Sequence, residues 1–446
     1  MCGLHTHLLD NERSNHMNEK YYPIKNSYVM LQKPGTWQGI QGMLFEPTEP
    51  GDKSQIAVIV MHSDGVHIAP PAAAELARRG YRALGAAVSD RDNPLDEKLV
   101  DVKVCSDYLR QIPGVRKVIT LGHSGGATLM SAYQNAAENG VQAFQGPEKL
   151  IKCSNLGDLP PADGVMLLDS NYGNGIMTLV SFDPAVMSED CGNKLDPELD
   201  LFNPANGYDP KGSTYSDEFI RKYQKAQGER NNRLIDAALV RLHALESGKG
   251  KYSDDEPFIV PAGALNAYNN KLFPQDIRLL SHTQKAWPLL HPDGSVTTRV
   301  IPCVRRAKND KSFTSSYRLG SIRSTVRTYL NSYAVRTTAD YGYDEDSLFG
   351  IDWLSSYSCT PGNMMGVSAP TLLMGMTGGY EFLAAEIIHE NTPKIADKTI
   401  AFVEGATHNF DTAKDCEAYP GQFGDTMKIL FDYVDTWLGQ KGRFIH

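Results

Sequence analysis

A serine framed by glycines stands between two differently patterned stretches in KVITLGHSGGATLM, residues 117–130. Val118–Leu121 is an apolar, β-branched run that is typical of a buried strand. The alanine-rich stretch that begins at Ala127 predicts a helix. The chain must turn sharply through Gly122–Gly126, and glycines permit this because they carry no Cβ that would clash. The pattern therefore constrains this segment to a strand, a tight turn and a helix, with Ser124 in the turn.

Predicted strands and helices alternate along the sequence from residue 56 onward. Ile56–Met61 is a continuous apolar run, which is the pattern of a strand buried on both faces. This alternation predicts an α/β fold, with a mostly parallel central sheet and helices on both of its faces. The other predicted strands are Tyr28–Leu31, Gly42–Phe45, Tyr81–Val88, Gly164–Leu168, Thr371–Gly375 and Thr399–Val403, and the other predicted helices are Pro70–Arg79, Leu95–Arg110, Phe382–His389 and Gly424–Leu438.

The alternation is interrupted between Tyr172 and Pro370, a distance far longer than an ordinary loop. One long amphipathic helix is predicted there over 216–247, and the residues that follow it predict only short elements. We expect this insertion to be a cap subdomain over the carboxyl edge of the sheet. The predicted division is a polar N-terminal tail at 1–21, a first core part at 22–172, a mainly helical cap at 173–365 and a second core part at 366–446.

Composition argues against several classes of protein. The 446 residues carry a net charge of −9 and contain no basic run, which argues against a nucleic-acid partner. No apolar stretch reaches the roughly 18–20 residues that cross a membrane. The polar start of the chain lacks the apolar region of a signal peptide. The 7 cysteines, without a C-x-x-C pair, predict reduced thiols in a cytoplasmic protein.

Few residues suggest a metal or a cofactor. Cys2, His5 and His7 lie close together, but no further ligand cluster follows them, so we expect a frayed tail there and no metal site. The expected partner is a small-molecule substrate, with no metal or organic cofactor. The sequence leaves the oligomeric state open, a homodimer included.

Ser124 has the setting of a catalytic nucleophile. A hydroxyl at a strand-to-helix turn is held above the sheet edge, where the free N–H groups of the new helix point toward it. Serine is a weak nucleophile alone and needs a base that is oriented by a third group. The G-x-S-x-G motif in this setting resembles the α/β-hydrolases of the esterase and lipase type, over about residues 25–175 and 365–440. The resemblance implies a serine, an acid and a histidine in that chain order.

The resemblance also implies that His408 is the base. It lies in FVEGATHNFD, a Gly-x-x-His turn directly after the predicted strand 399–403. The position after strand 371–375 where the resemblance places an aspartate holds glycines. The acid therefore stays open among three carboxylates, which are Glu386, Glu381 and Asp169.

The transition state of acyl transfer needs two N–H donors for its negatively charged oxygen. The resemblance implies Gly125, directly after the nucleophile, as one donor. The loop VMHSDGVH after the first central strand supplies the other, with Asp64 expected by position and Ser63 as the alternative. The residues expected around the substrate are His62, His123 and Tyr172.

Together these residues predict a serine hydrolase that acts through an acyl-enzyme. The expected substrate is a carboxylic ester, a lactone or a related acyl compound of medium size and partly aromatic or apolar character. A C–C bond hydrolase or an acyltransferase would use the same residues. A non-catalytic ligand-binding protein with the same fold is the remaining alternative.

Overall fold

A sheet of ten strands runs through the computed structural model of the protein, which describes residues 21–65, 68–154, 156–264, 272–308 and 315–445. The strands, in chain order, are β1 (Ile24–Gln32), β2 (Gly39–Pro47), β3 (Ile56–Met61), β4 (Arg82–Ala86), β5 (Lys117–Ser124), β6 (Gly164–Ser170), β7 (Val186–Ser188), β8 (Cys191–Leu195), β9 (Pro257–Val260), β10 (His282–Leu290), β11 (Val296–Pro302), β12 (Ile322–Thr325), β13 (Thr337–Tyr343), β14 (Leu348–Ile351), β15 (Thr371–Met376) and β16 (Lys398–Val403). The large sheet has the order β1-β2-β4-β3-β5-β6-β15-β16-β10-β11.

The centre of this sheet is parallel. The pairs β3–β4, β3–β5, β5–β6, β6–β15 and β15–β16 are all parallel, whereas β1 and β2 join one side as antiparallel strands. Parallel neighbours need crossover connections, and helices supply them. Because the strands run the same way, their carboxyl ends meet at one edge of the sheet.

Helices cover both faces of the sheet. The described helices are α1 (Pro71–Arg78), α2 (Leu95–Gln111), α3 (Gly126–Asn139), α4 (Asn174–Leu179), α5 (Asp217–Glu246), α6 (Leu272–Gln275), α7 (Tyr317–Gly320), α8 (Val326–Ser332), α9 (Thr360–Met364), α10 (Ala384–Glu390) and α11 (Thr426–Leu438). Strand β3 shows the division: Val58 and Val60 pack in one core with α1 and α11, while Ile59 and Met61 pack in the other with α2, α3 and α10. Side chains alternate between faces along a strand, so a fully apolar strand serves both cores. The expected α/β fold is confirmed.

The predicted cap at 173–365 needs correction, because β10 and β11 from this segment belong to the central sheet. Leu289 and Leu290 of β10 pair in parallel with Phe402 and Val403 of β16, and β11 closes the edge antiparallel to β10. The sequence of β10 does not indicate that it pairs with β16, since Pro288 within this segment argues against a strand in the interior of a sheet.

The rest of the insertion combines helices, of which α5 is the longest, with short strand pairs. The long helix α5 is present as expected, and β9–β12, β13–β14 and β7–β8 form small antiparallel pairs. Leu234 and Ile235 of α5 pack with Phe258, Ile322 and Tyr329 in a small core of their own.

Other expectations concerned the N-terminal tail, membrane-spanning helices, metal sites and cysteines. The tail at 1–20, with Cys2, His5 and His7, lies outside the described residues. Within the described part, no helix has the length and apolar character to cross a membrane, and no cluster of three or more His, Cys, Asp or Glu could hold a metal ion. The six cysteines in that part are all free.

Candidate active site

Ser124 is the last residue of β5 and lies at the tight turn that leads into α3. Its φ is 54°, in the left-handed region that residues other than glycine rarely adopt. A Cβ at Gly122 would lie 2.6 Å from the Cα of Ala127, and one at Gly126 would lie 2.4 Å from the carbonyl oxygen of Met61. Both positions therefore require glycine, because any side chain would collide with backbone. The geometry is that of a nucleophile elbow.

His408 lies in the loop after β16 and is paired with Asp169. Its Nδ1 is 2.7 Å from Asp169 Oδ2. Asp169 stands near the end of β6 with a φ of 45°, and its Oδ1 accepts a hydrogen bond of 2.9 Å from the N–H of Met376 at the end of β15. The carboxylate is thus fixed on one side by backbone and orients the imidazole on the other. The structure brings together Asp169, one of the three candidate acids, and His408.

The other two candidate acids lie in different surroundings. Glu381 is buried, and its Oε2 is 3.5 Å from His408 Nδ1, which makes it a second, more distant carboxylate beside the imidazole.

Glu386, another candidate acid, makes its described contacts with a different part of the chain and none with His408. Its carboxylate accepts hydrogen bonds of 2.9 Å from the N–H groups of Gln284 and Lys285, and one of 2.7 Å from Trp287 Nε1. These partners belong to β10, so Glu386 fastens helix α10 to that strand. The sequence could not predict these hydrogen bonds of Glu386, because it did not predict that β10 belongs to the central sheet.

Electrostatics at His408 follow from its two carboxylate neighbours. Burial disfavours the charged imidazolium, but the charge of Glu381 and the hydrogen bond that His408 donates to Asp169 outweigh it and raise the pKa of His408 to about 9. Burial raises the pKa of the enclosed Asp169 carboxyl, while the hydrogen bonds from His408 and Met376 act in the opposite direction. The imidazolium of His408 therefore holds its proton more tightly than a free histidine does.

His123 lies directly beside this pair. Its Nε2 is 2.6 Å from the carbonyl oxygen of His408, and its ring centroid is 4.6 Å from those of both His408 and Phe410. Burial lowers the pKa of His123 well below its usual value, with the neighbouring His408 acting in the same direction. His123 is thus a neutral ring that supports the His408 loop.

A cavity of ≈ 680 Å³ opens onto Ser124 and His408. Among the described residues, the insertion supplies only Asn174 to its wall. Tyr172, expected around the substrate, is not in the wall: it is 1% exposed, and its carbonyl oxygen accepts from the N–H of Thr360. The lining residues are Val60, Met61, His62, Asp64, Gly65, Ala69, Pro70, Pro71, Ala72, Arg91, His123, Ser124, Gly125, Asn171, Asn174, His408, Asn409, Phe410, Asp411 and Met427.

Ser124 and His408 share this cavity without a hydrogen bond between them. Within the described part of the chain, Ser124 Oγ has no hydrogen-bond partner. In unliganded active sites such bonds are often long and tighten only when substrate binds. The arrangement therefore provides the groups of a nucleophile and a base at one cavity.

The backbone N–H groups near the turn differ in whether they have an acceptor. Neither the Ser63 nor the Gly125 N–H donates to an acceptor among the described residues. The N–H of Asp64, in contrast, lies 3.3 Å from His62 Nδ1 and is directed at that ring. Of the two expected donors in the loop after β3, Ser63 is therefore the one whose N–H is not directed at a neighbouring side chain among the described residues.

A buried polar network below Gly125 was missed by sequence reasoning. The Nδ2 of Asn174 donates to Ser63 Oγ at 3.0 Å, and Thr128 Oγ1 contacts both Asn171 Oδ1 at 3.3 Å and Asn174 Oδ1 at 3.5 Å. The signal was present in DSNYGN, where polar residues end the buried strand β6 and continue directly after it. Because carboxyl ends of parallel strands meet at one edge, such residues belong beside the turn after β5.

Comparison with known proteins adds little beyond this geometry. No family model matches the sequence, and no curated protein matches it. Among solved structures, the chain is similar to Est1E from Butyrivibrio proteoclasticus, with 10% identity over 93% of this chain and 98% of that one and a TM-score of 0.39. It is also similar to the alpha/beta hydrolase GrgF from Penicillium sp. sh18, with 11% identity over 94% and 98% and a TM-score of 0.42. A proline iminopeptidase from Mycobacterium smegmatis gives 11% identity over 93% and 98% and a TM-score of 0.40.

Because these TM-scores are low, the assignment of the fold rests on the chain itself. The order β1-β2-β4-β3-β5-β6-β15-β16, the turn at Ser124 after β5 and the loop of His408 after β16 are those of the α/β-hydrolase fold. The protein has this fold, extended by the hairpin β10–β11.

Proposed function

We propose that the protein is a serine hydrolase that cleaves a carboxylic ester, a lactone or a related acyl bond through an acyl-enzyme on Ser124. One observation carries the proposal: the 2.7 Å contact between His408 Nδ1 and Asp169 Oδ2, beside the cavity that Ser124 lines. A buried carboxylate on Nδ1 keeps the proton on that nitrogen, so Nε2 of the neutral ring is left as a base.

The reaction then follows from the positions of these groups. His408 takes the proton of Ser124 as the hydroxyl oxygen attacks the carbonyl carbon, and Asp169 stabilises the imidazolium that forms. The same proton passes to the leaving group as the tetrahedral intermediate collapses. A water molecule, activated in turn by His408, releases the acid and restores Ser124.

The oxygen of the tetrahedral intermediate lies beside Gly125. The N–H groups of Gly125 and Ser63 are its two proposed donors, since both lack other acceptors within the described residues. The network of Ser63, Thr128, Asn171 and Asn174 fixes the loop that carries the second donor. Placing these donors before the reaction stabilises the transition state without reorganisation.

Labelling with a fluorophosphonate, read by intact mass and peptide mapping, tests the proposal. We expect one adduct on Ser124 in the wild type and none in Ser124→Ala or His408→Ala. The control Ser295→Ala changes an exposed serine of the β10–β11 turn and should label as the wild type does. Hydrolysis of p-nitrophenyl esters should fall by about a thousandfold or more in Ser124→Ala.

Other results would overturn the proposal or redirect it. A folded wild-type protein that takes no label and hydrolyses no ester would favour the ligand-binding alternative. Transfer of the acyl group to an added alcohol in preference to water would identify an acyltransferase with the same nucleophile.

A further inference from the structure

A second histidine–aspartate pair faces the cavity from the loop after β3. His62 Nδ1 is in hydrogen-bond contact with Asp64 Oδ1, and both residues line the cavity that Ser124 lines. The side chains are 33% and 26% exposed, so they are open to a ligand in that cavity. The proposed hydrolysis uses neither side chain.

The contact with Asp64 fixes the proton on the ring of His62. A carboxylate oxygen and an unprotonated nitrogen would repel each other, so Nδ1 carries the hydrogen and donates it to Asp64 Oδ1. The Asp64 N–H, whose nitrogen is 3.3 Å from the same Nδ1, therefore points at the ring without a lone pair to accept it. Burial acts to raise the pKa of Asp64, but the hydrogen bond from His62 and the neighbouring positive charges, Lys98 and Arg91 among them, outweigh it and lower the pKa. The carboxylate is thus ionised. In a neutral imidazole only one nitrogen carries hydrogen, so with Nδ1 as the donor to Asp64 the lone pair lies on Nε2.

Nε2 of His62 has no partner among the residues that the structure describes. An acceptor nitrogen in a cavity needs a donor from the ligand, and a plain carbonyl or alkyl chain offers none. A hydroxyl group offers one.

The position of the His62 ring indicates which part of a bound substrate it would contact. His62 Cε1 lies 3.0 Å from the point where a Cβ of Gly125 would be, so the edge of the ring formed by Nδ1, Cε1 and Nε2 is beside Gly125. Because Nδ1 is taken by Asp64, Nε2 is the nitrogen of this edge that a ligand can reach. The leaving group must lie next to His408, which protonates it. The Gly125 side of the cavity therefore faces the scissile carbonyl and the acyl chain attached to it.

We propose that His62, held by Asp64, is a specificity-determining residue that accepts a hydrogen bond from a hydroxyl on the acyl chain close to the scissile carbonyl. The preferred substrates are then esters or lactones of hydroxy acids. This inference rests on the proposed serine hydrolase function. The polar side chains of Arg91, Asn409 and Asp411 in the same wall suit such a substrate better than a purely apolar one.

Two pairs of substrates of matched shape test the inference. We would compare p-nitrophenyl lactate with p-nitrophenyl isobutyrate, and the β-hydroxybutyrate ester with the isovalerate ester, each as separate enantiomers where they exist. In each pair a methyl group replaces the hydroxyl. We expect kcat/KM for one hydroxy ester to exceed that of its partner by about tenfold or more, the effect of one hydrogen bond.

Variants then assign this preference to His62. In His62→Phe the ratio should fall to near one, and in His62→Gln, which keeps an acceptor oxygen, it should lie between. His389→Gln is the matched control, since His389 also contacts a carboxylate, Glu390, but is absent from the cavity wall. It should keep the wild-type ratio.

The outcomes separate the two proposals. A preference that survives in His62→Phe, or equal rates for both esters in the wild type, would overturn the role of His62. A uniform loss on all four esters in His62→Phe would also overturn it and would make His62 a donor to the carbonyl oxygen. Fluorophosphonate labelling of Ser124 in each variant reports folding and the nucleophile independently, so failure of the hydrolase proposal would be seen there first.

Discussion

Strands β6 and β15 are parallel neighbours, yet their carboxyl ends have different roles at the site. Leu168 of β6 pairs with Met374 of β15, so the two strands end side by side. The end of β6 supplies a carboxylate, Asp169, whereas the end of β15 supplies a backbone N–H that binds this carboxylate. Because neighbouring ends lie within hydrogen-bond distance, the acid can come from either strand and still reach the same histidine.

The glycines after β15 are explained by the acid on β6. A Cβ at Gly379 would lie 3.1 Å from Asp169 Oδ2 and 3.5 Å from the backbone nitrogen of His408. A Cβ at Gly378 would lie 2.7 Å from the carbonyl oxygen of Ala406. The space where an aspartate of β15 would begin is thus already filled, so these positions must stay small.

Replacing Asp169 should have the largest effect on catalysis. In Asp169→Asn the amide can no longer hold the Nδ1 proton of His408 in place, so we expect kcat to fall by about 10⁴-fold, as for other triads with this change. Glu381→Gln should lower kcat far less, since Glu381 is the more distant carboxylate. Steady-state kinetics on one p-nitrophenyl ester compares the two. Equal losses would mean that both carboxylates act as the acid.

Replacing Glu381 should instead change the pH dependence. Hydrolysis needs neutral His408, so kcat/KM should rise with pH through the pKa of this group, about 9. Glu381 raises that pKa by favouring the imidazolium, so Glu381→Gln should move the rising limb to lower pH. The measurement is kcat/KM across pH at constant ionic strength. A limb at the same pH in both proteins would contradict the assigned role of the Glu381 charge.

Replacing Glu386 should affect folding and leave the pH profile in place. In Glu386→Gln one acceptor oxygen becomes an NH₂ group facing N–H donors of β10, so the free energy of unfolding should fall by about 1–3 kcal/mol. Denaturant unfolding of the variant and the wild type measures this difference. A rising limb displaced as in Glu381→Gln would return Glu386 to the list of candidate acids.

The smallest effect is expected at Glu390, on the same helix α10. Its contacts with Lys285 and His389 are solvent-exposed, and such ion pairs contribute about 0–1 kcal/mol. Glu390→Gln is therefore the matched control for Glu386→Gln. A loss of stability as large as that of Glu386→Gln would show that the charge of the helix, and not the buried hydrogen bonds, fastens α10 to β10.

Short sequence patterns predicted the strands and helices whose residues themselves carry the pattern. The run Ile56–Met61 is β3 to the residue, and the helix predicted after Ser124 is α3. The choice among the acids and the place of β10 depend on contacts between residues more than a hundred positions apart, such as Glu386 with β10 and Asp169 with Met376. A hydrophobic pattern indicates which face of a strand is buried but not which neighbour covers it. It therefore could not predict which carboxylate pairs with His408 or where β10 lies in the sheet.

The left-handed backbone at Ser124 sets a limit on engineering the protein for heat resistance. A non-glycine residue at such a position costs about 1–3 kcal/mol, and glycine would relieve this without losing any hydrogen bond of the side chain among the described residues. A laboratory selection for heat resistance alone would thus favour Ser124→Gly, which removes the proposed nucleophile. Thermostable variants therefore have to be screened for turnover in every round, with this codon held fixed.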